Sequence, residues 1–432
     1  MKEQDPIELH IDELHPDGYS LSTQHGMAVF GALPGETVIA KPFTRRRKRI
    51  FARTLSVTVS APERVKPACS AADNCGGCSF QHFDPESQIE FKQAYVIGLC
   101  SANKPAEVMA PLCGAVKGYR TKARLGVKYV SKKARVLVGF REKMSPFVAE
   151  IDRCEVLKEP VGELLPELGK LIGELSCPSA IPQIEVAVGD EEVALVLRHL
   201  QPLLMEDIRK LKEFANLRGL SFYLQPDKPE SAWKICPPDG PDRLYYTLPS
   251  VGLKFGFHPL DFVQVNADMN CKLVAKAMEL LELEANDRVV DAFCGIGNFS
   301  LAIAQHAAHV LGLEVSASGI DRAQENARLN GVENCVFEHA DLLADDLDIF
   351  MLGDANKLLL DPPRTGAESL VKKLASSKVE RVVYVSCNPH TLARDTQVLV
   401  ENGYQFEKAG VLDMFPHTTH IESIAVFSRQ TS

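Results

Sequence analysis

Hydrophobic and polar positions change their rhythm along this chain. Near the start they alternate: Ile7, Leu9 and Ile11 are separated by Glu8 and His10, and further short apolar runs fall at residues 26–30, 37–40 and 50–59. Asp17-Gly18 and Pro34-Gly35 supply turns between them. Period-two alternation broken by frequent turns predicts short strands forming a small β-barrel. Residues 86–100 read as a helix, and residues 119–250 as a mixed region with strand-like runs at 123–130, 135–140 and 193–197. From about Asn270 onward apolar runs alternate with helical stretches, which predicts a parallel sheet covered by helices. The expected fold class is therefore multidomain α/β, with units at residues 1–61, 62–262 and 263–432. Residues 86–118 are placed in the middle unit by order along the chain, yet are free to pack with the last one.

Length agrees with this division, since 432 residues correspond to roughly three domains. Apolar residues make up 45% and charged residues 24%, the balance of a soluble globular protein. No apolar run reaches the length of a membrane span, and the opening MKEQDPIELH holds no apolar signal core, so a cytoplasmic protein is expected. A net charge of −9 argues against non-specific coating of nucleic acid. One local exception stands out. The run KPFTRRRKR places Lys41, Arg45, Arg46, Arg47, Lys48 and Arg49 together with no acid among them, and reads as a basic loop suited to phosphate.

There are 12 cysteines, and in a cytosolic chain they suggest metal binding or catalysis more than disulfides. Cys69, Cys75 and Cys78 are closely spaced, and Cys154 is distant. Four thiolates can hold zinc or a [4Fe-4S] cluster, with His82 as an alternate ligand, and the chemistry alone leaves both metals open. Cys100, Cys113, Cys177, Cys236, Cys271 and Cys335 show no partner pattern and read as small buried residues.

Candidate chemistry collects at predicted strand ends, where open α/β sheets bind ligands. The segment Arg288-Val289-Val290-Asp291-Ala292-Phe293-Cys294-Gly295-Ile296-Gly297-Asn298 is a strand running into a glycine-containing turn. It lacks the third glycine of a dinucleotide fingerprint. The next strand ends at Glu314, placed to accept hydrogen bonds from a ribose diol, and another ends near Asp341, placed to meet an adenine edge. These strand ends resemble the S-adenosylmethionine (SAM) pocket of class I methyltransferases. Further on, Asp361-Pro362-Pro363-Arg364 follows an apolar run, and its two prolines enforce a rigid extended turn. Residues 381–385 (RVVYV) read as a buried strand, and Cys387 sits just past its end, before Asn388-Pro389 turns the chain away.

Asp361-Pro362-Pro363-Arg364, Ser386-Cys387-Asn388-Pro389, Phe415-Pro416-His417-Thr418-Thr419-His420-Ile421-Glu422 and the upstream Phe262-Val263-Gln264-Val265-Asn266 together resemble the RNA uracil-5 methyltransferase family. The N-terminal barrel, followed by Cys69, Cys75-Gly76-Gly77-Cys78 and the distant Cys154, is similar to the family's iron–sulfur members that act on 23S rRNA and carry an OB-like TRAM domain. The resemblance spans nearly the whole chain. It implies SAM-dependent formation of 5-methyluridine in 23S rRNA, with Cys387 as nucleophile and Glu422 as base. It also implies SAM contacts at Gln264, Phe293, Asn298, Glu314, Asp341 and Asp361, although Asp361 can instead orient the uracil through its N3–H. A [4Fe-4S] cluster is implied on Cys69, Cys75, Cys78 and Cys154. The basic run, with Arg364 and Arg394 as further candidates, is expected to grip RNA. Neither a membrane nor an obligate protein partner is expected, and the chain is read as a monomer. Three rivals share these features: a tRNA uracil-5 methyltransferase, a 5-methylcytosine enzyme, and a non-catalytic RNA-binding iron–sulfur protein.

Overall fold

The computed structural model describes residues 5–46 and 48–429. The alternating N-terminal segment forms a six-stranded sheet in the order Ile7–His10, Thr37–Arg46, Arg49–Val59, Met27–Phe30, Ser20–Ser22, Glu13–Leu14. Its two edge strands, Ile7–His10 and Glu13–Leu14, are two residues apart in the chain. A sheet whose opposite edges are joined by so short a link must curl on itself, and curling buries Leu9, Ile11, Val29, Val38 and Ala52 inside. The basic run differs from the expected loop. It continues the strand Thr37–Arg46, turns at Lys48, and returns as Arg49–Val59. Pro42 is accommodated because the ladder shifts register between Pro42 and Thr44, where no regular donor is required.

The middle of the chain forms a second six-stranded sheet: Trp233–Cys236, Ser221–Gln225, Val193–Arg198, Gln183–Val188, Lys122–Val130 and Arg135–Gly139, in that spatial order. Helices Val161–Gly173 and Met205–Arg218 cover it. Its core takes in Cys75, Cys78 and Cys154 beside Leu125, Val136 and Leu168.

The third sheet has eight strands. Counted from residue 288, the strands Arg288–Ala292, His309–Glu314, Cys335–His339, Lys357–Leu360, Arg381–Ser386, Gln405–Leu412 and Glu422–Ser428 lie in the order 3-2-1-4-5-7-6. The first five are parallel, and Glu422–Ser428 runs antiparallel between its neighbours. Successive side chains point to opposite faces: Val289, Leu359, Val383 and Val385 enter one core, and Val290, Leu358, Leu360, Val382 and Tyr384 the other. Burial on both faces explains why these strands read as unbroken apolar runs.

Two segments from earlier in the chain join this body. Helix Pro85–Leu99 packs on Gln405–Leu412, and Glu107–Val108 pairs beside Lys408 and Ala409. The hairpin Leu244–Leu248/Leu253–Phe257 lies against helix Ala317–Leu329, where the Asn326 side chain accepts from the Gly256 N–H (2.8 Å) and donates to the Ile296 carbonyl (3.1 Å). Among the described residues no helix is long and apolar enough to cross a membrane.

Candidate active site

The site begins with a register. In the antiparallel pair of Arg381–Ser386 with Glu422–Ser428, Tyr384 faces Ala425, Val385 faces Ile424, and Ser386 faces Ser423. Cys387 and Glu422 are the next residues beyond this last pair, and the Glu422 charge acts on the Cys387 thiol. Ser423 Oγ closes this end by donating to the Ser386 carbonyl (3.1 Å). Because Glu422 opens a reversed strand, it lies at the edge where the parallel strands finish. Asp361 joins them from the neighbouring strand: Leu360 pairs with Tyr384 on one side and Ala292 on the other, and Asp361 N–H reaches the Ala292 carbonyl (3.3 Å). Asp361 therefore stands at the topological switch between the first and fourth strands, the position where such sheets bind ligands.

Burial and neighbouring charge raise the pKa values of these groups. Burial lifts Glu422 well above the carboxylate range, and the Asp361 charge adds to the effect. Burial alone raises Asp361 to about 7. The Cys387 thiol is pushed up to about 11 by burial and then by Glu422 and Asp361, while the Arg364 guanidinium opposes the shift. Arg364 is held from two sides. Its carbonyl accepts from Asn388 Nδ2 (2.8 Å), and Asn388 Oδ1 accepts the His390 N–H, capping helix Pro389–Glu401. Its guanidinium lies 2.7 Å from His420 Nδ1. Arginine can only donate, so Nδ1 accepts and the imidazole proton sits on Nε2. Burial and the Arg364 charge depress His420 to about 4, which keeps it neutral. Arg394 is committed internally, to Asp395, Glu368 and the Thr365 carbonyl.

The glycine turn at the end of the first strand holds three left-handed residues, Phe293 (φ 68°), Gly295 (φ 55°) and Gly297 (φ 87°). A Cβ built on Gly295 meets nothing within 4 Å, so the backbone there faces open space. Glu314 is oriented by backbone amides: Gly295 N–H reaches Oε2 at 3.1 Å and Ser316 N–H reaches Oε1 at 2.8 Å. Gln264 lines a small pocket with Thr121, Lys158, Tyr246 and Asn270. Asn298 is tied inward at both ends of its amide. Its oxygen accepts from Tyr246 Oη (2.8 Å) and Asn270 Nδ2 (3.0 Å), and its nitrogen donates to Asn270 Oδ1 (2.9 Å). Asp341 lies two residues past the strand end, exposed, and accepts the Leu343 N–H (3.1 Å). Tyr246 and Asn270 went unnoticed in the sequence, although Asn270 follows Asn266 by one helical turn.

The four cysteines meet. Cys69, Cys75, Cys78 and Cys154 line one small cavity whose other walls include Phe140, Ile151 and Val156. Burial pushes Cys75 to about 11 and Cys78 to about 12, and the cysteines raise one another further. Gln81 braces the set, accepting the Cys69 N–H (3.1 Å) and facing Cys78 Sγ at 3.5 Å. His82 lines a neighbouring pocket with Thr54, Arg53 and Lys143 instead. Among the described residues no three His, Cys, Asp or Glu side chains form a ready shell for a single metal ion.

On the N-terminal hairpin Arg45, Arg46 and Lys48 are exposed. Arg46 donates to the Met144 carbonyl (3.1 Å), and Arg49 to Tyr19 Oη (2.8 Å). Lys41 is half-buried on the same strand, and Arg47 lies outside the described residues.

A sheet of this order, with its reversed strand and a cysteine between two acids at the switch point, defines an α/β enzyme of the SAM-dependent methyltransferase class. The model of the tRNA (uracil-5-)-methyltransferase family matches residues 249–430. The 23S rRNA (uracil(1939)-C(5))-methyltransferase RlmD of Hahella chejuensis is 46% identical, covering 99% of this chain and 98% of its own length. That of Alkalilimnicola ehrlichii is 48% identical over 99% and 97%. The crystal structure of Pyrococcus abyssi tRNA (uracil-54, C5)-methyltransferase with S-adenosyl-L-homocysteine superposes with a TM-score of 0.77 at 27% identity, covering 97% of this chain and 99% of that one. The chain belongs to the RlmD family of RNA uracil-C5 methyltransferases.

Proposed function

We propose that this protein methylates carbon 5 of a uridine in 23S rRNA, the reaction in the names of its RlmD relatives. The proximity of Cys387 and Glu422, one residue past the last pair of their strands and coupled electrostatically, carries the reading. Carbon 5 of uracil is a poor nucleophile until a thiolate adds to carbon 6. The Cys387 sulfur forms that bond, and the electrons of the 5,6 double bond move onto the ring as an enolate. Carbon 5 then takes a methyl group. Glu422 removes the remaining proton from carbon 5, the double bond re-forms, and the C6–S bond breaks with its electron pair returning to Cys387. A raised carboxylate suits this last step, because a base with a higher pKa takes a carbon-bound proton more readily. Arg364 is the cation that offsets the two acids around the thiol.

Bound SAM supplies the electrophilic methyl on a sulfonium. The open backbone at Gly295 and the amide-held Glu314 fit such a ligand, which Glu314, Gln264, Phe293, Asp341 and Asp361 would hold. Asn298, engaged at both ends of its amide, serves by fixing the turn. Asp361, between the cofactor loop and Cys387, is the group that would orient the uracil through its N3–H. The four thiols suit a [4Fe-4S] cluster: they line a cavity and not a single point, and the donor set is all sulfur. Iron and sulfide analysis after anaerobic purification tests this, with about four irons per chain expected, and one zinc refuting it. Residues 1–61, whose curled sheet runs from Ile7 to Val59, act as a TRAM domain whose exposed arginines track RNA phosphates. The second sheet and the cysteine cavity form the cluster unit, while helix Pro85–Leu99, Glu107–Val108 and the Leu244–Phe257 hairpin join residues 263–432 in the catalytic unit of a cytoplasmic monomer.

The deciding experiment incubates the protein and SAM with a 5-fluorouridine-substituted 23S rRNA fragment. Fluorine cannot leave as a proton, so the thioether persists on a denaturing gel. An adduct that maps to Cys387 and vanishes in Cys387→Ala is expected. An adduct with tRNA only would move the substrate, and none with either RNA would remove the mechanism.

A further inference from the structure

Glu422 opens its strand, so the loop before it sets where its carboxylate lies. That loop, residues 413–421, has no regular structure of its own, yet it is held at three successive carbonyls by distant parts of the chain. The Phe415 carbonyl accepts from Lys92 Nζ (3.1 Å), and the Pro416 carbonyl from Tyr119 Oη (2.9 Å). The His417 carbonyl accepts from both Ser79 N–H (2.8 Å) and Phe80 N–H (2.9 Å), just past Cys78. His417 itself sits at φ 65°, a left-handed conformation that a non-glycine residue adopts only when its surroundings enforce it.

Gln88 is the group that enforces it. Gln88 is 1% exposed, on helix Pro85–Leu99. Its Oε1 accepts the His417 N–H (2.9 Å), and its Nε2 lies 3.1 Å from His417 Nδ1. The same Nε2 is anchored to the carbonyls of Phe80 (3.0 Å) and Phe83 (2.6 Å). The His417 backbone is thus gripped by one buried amide, whose two hydrogens face the Phe80 and Phe83 carbonyls of the segment that follows the cysteines and whose nitrogen lies beside the imidazole. Cys387, by contrast, lies between a core strand and a helix capped by Asn388, and Gln88 makes none of the hydrogen bonds that hold that turn.

We infer that Gln88 is a positioning residue for the release step: by fixing His417 it holds Glu422 where the carbon-5 proton is taken. The inference rests on the methyltransferase reading above. Thioether formation and methylation draw on Cys387 and proceed without Gln88. Proton removal draws on Glu422 and slows when the loop loosens, because a displacement of about 1 Å costs up to about 100-fold. The covalent protein–RNA intermediate then accumulates on ordinary uridine.

The test uses the full chain with SAM and an unmodified uridine-containing 23S rRNA fragment. Covalent complex is read on denaturing gels, methyl incorporation by nucleoside analysis, and KM from initial rates. For Gln88→Ala we expect turnover to fall roughly 10–100-fold, with a burst of methyl incorporation and a covalent band far above that of the parent. KM for SAM stays within about twofold, since the cofactor loop is untouched. Should Gln88→Ala not fold, Tyr119→Phe removes only the bond to Pro416 and shows a smaller band of the same kind. Normal turnover in the folded variants, or slow turnover without a covalent band, overturns the inference. Glu422→Gln is the control. If the parent makes no 5-methyluridine, or Glu422→Gln traps no complex, the methyltransferase reading fails and the inference falls with it.

Discussion

Replacing Lys92 with methionine removes one half of an ion pair that sits almost wholly out of water. Lys92 Nζ lies 2.9 Å from Asp413 Oδ1, with side chains 1% and 5% exposed. Burial lowers the lysine pKa, and Asp413 counteracts that shift. Methionine fills much of the same volume, so the loss is electrostatic and not a cavity. The Asp413 carboxylate remains buried without its cation, which costs about 3–5 kcal/mol. The Phe415 carbonyl loses one donor but keeps the Thr418 hydroxyl (3.0 Å) and the Thr418 N–H (3.3 Å), so its share is below about 1 kcal/mol. Each kcal/mol moves the midpoint of a domain this size by about 2–4 °C, so a fall of roughly 10–20 °C in the unfolding of the catalytic body is expected. Scanning calorimetry reads it. The double variant Lys92→Met/Asp413→Leu removes both charges and regains most of the loss, because no buried charge is then left without its partner. A single variant within about 1 kcal/mol of the parent would refute the reasoning, as would a double variant no more stable than the single.

Two further outcomes follow from the site's electrostatics. With its thiol near 11, about one Cys387 in ten thousand is ionised at pH 7, so single-turnover adduct formation rises nearly tenfold per pH unit between pH 7 and 9. A flat profile over that range would mean that the thiol is already ionised when it reacts. Asp291 is fully buried and raised to about 7 by burial, with Asp361 and Glu314 adding to the shift. The folded chain therefore keeps a proton that the unfolded chain loses near pH 4, and this group lowers stability as pH rises from about 4 to 7. Asp291→Asn escapes that loss and should be more stable than the parent by about 2–4 kcal/mol in denaturant titrations at pH 8, with the gain shrinking toward pH 4. An equal difference at both pH values would contradict it.

Much of the catalytic body was legible from local pattern. Residues 381–385 and the turn after Asp291 announced strand ends directly, because an apolar run followed by proline or glycine leaves the chain few other conformations. The basic run misled. Pro42 and six cations look like a loop, but the partner strand Arg49–Val59 and a shifted ladder turn them into a hairpin. The Leu244–Phe257 hairpin was grouped with the middle of the chain, and it is the Asn326 hydrogen bonds that attach it to the catalytic body. Gln88 and Lys92 left no readable signal: two polar residues one turn apart on a helix look like a solvated stripe, and here they share the buried face with Ile89 and Val96.

By itself the sequence determined which atoms could react. Cys387, Glu422, Asp361 and the four clustered cysteines are chemical types, and the turns that expose them are set by neighbours a few residues away. Only the tertiary structure decided which of these meet. Cys387 and Glu422 come together because the last strand reverses and pairs in one register, and a slip of a single residue would turn Glu422 to the other face. Cys154 joins Cys69, Cys75 and Cys78, and Gln88 reaches His417 across more than 300 residues, through packing between sheets. Local backbone preference acts over a few residues. Juxtaposition over hundreds is fixed by burial and hydrogen-bond satisfaction summed over the whole fold, and no short stretch of sequence records that sum.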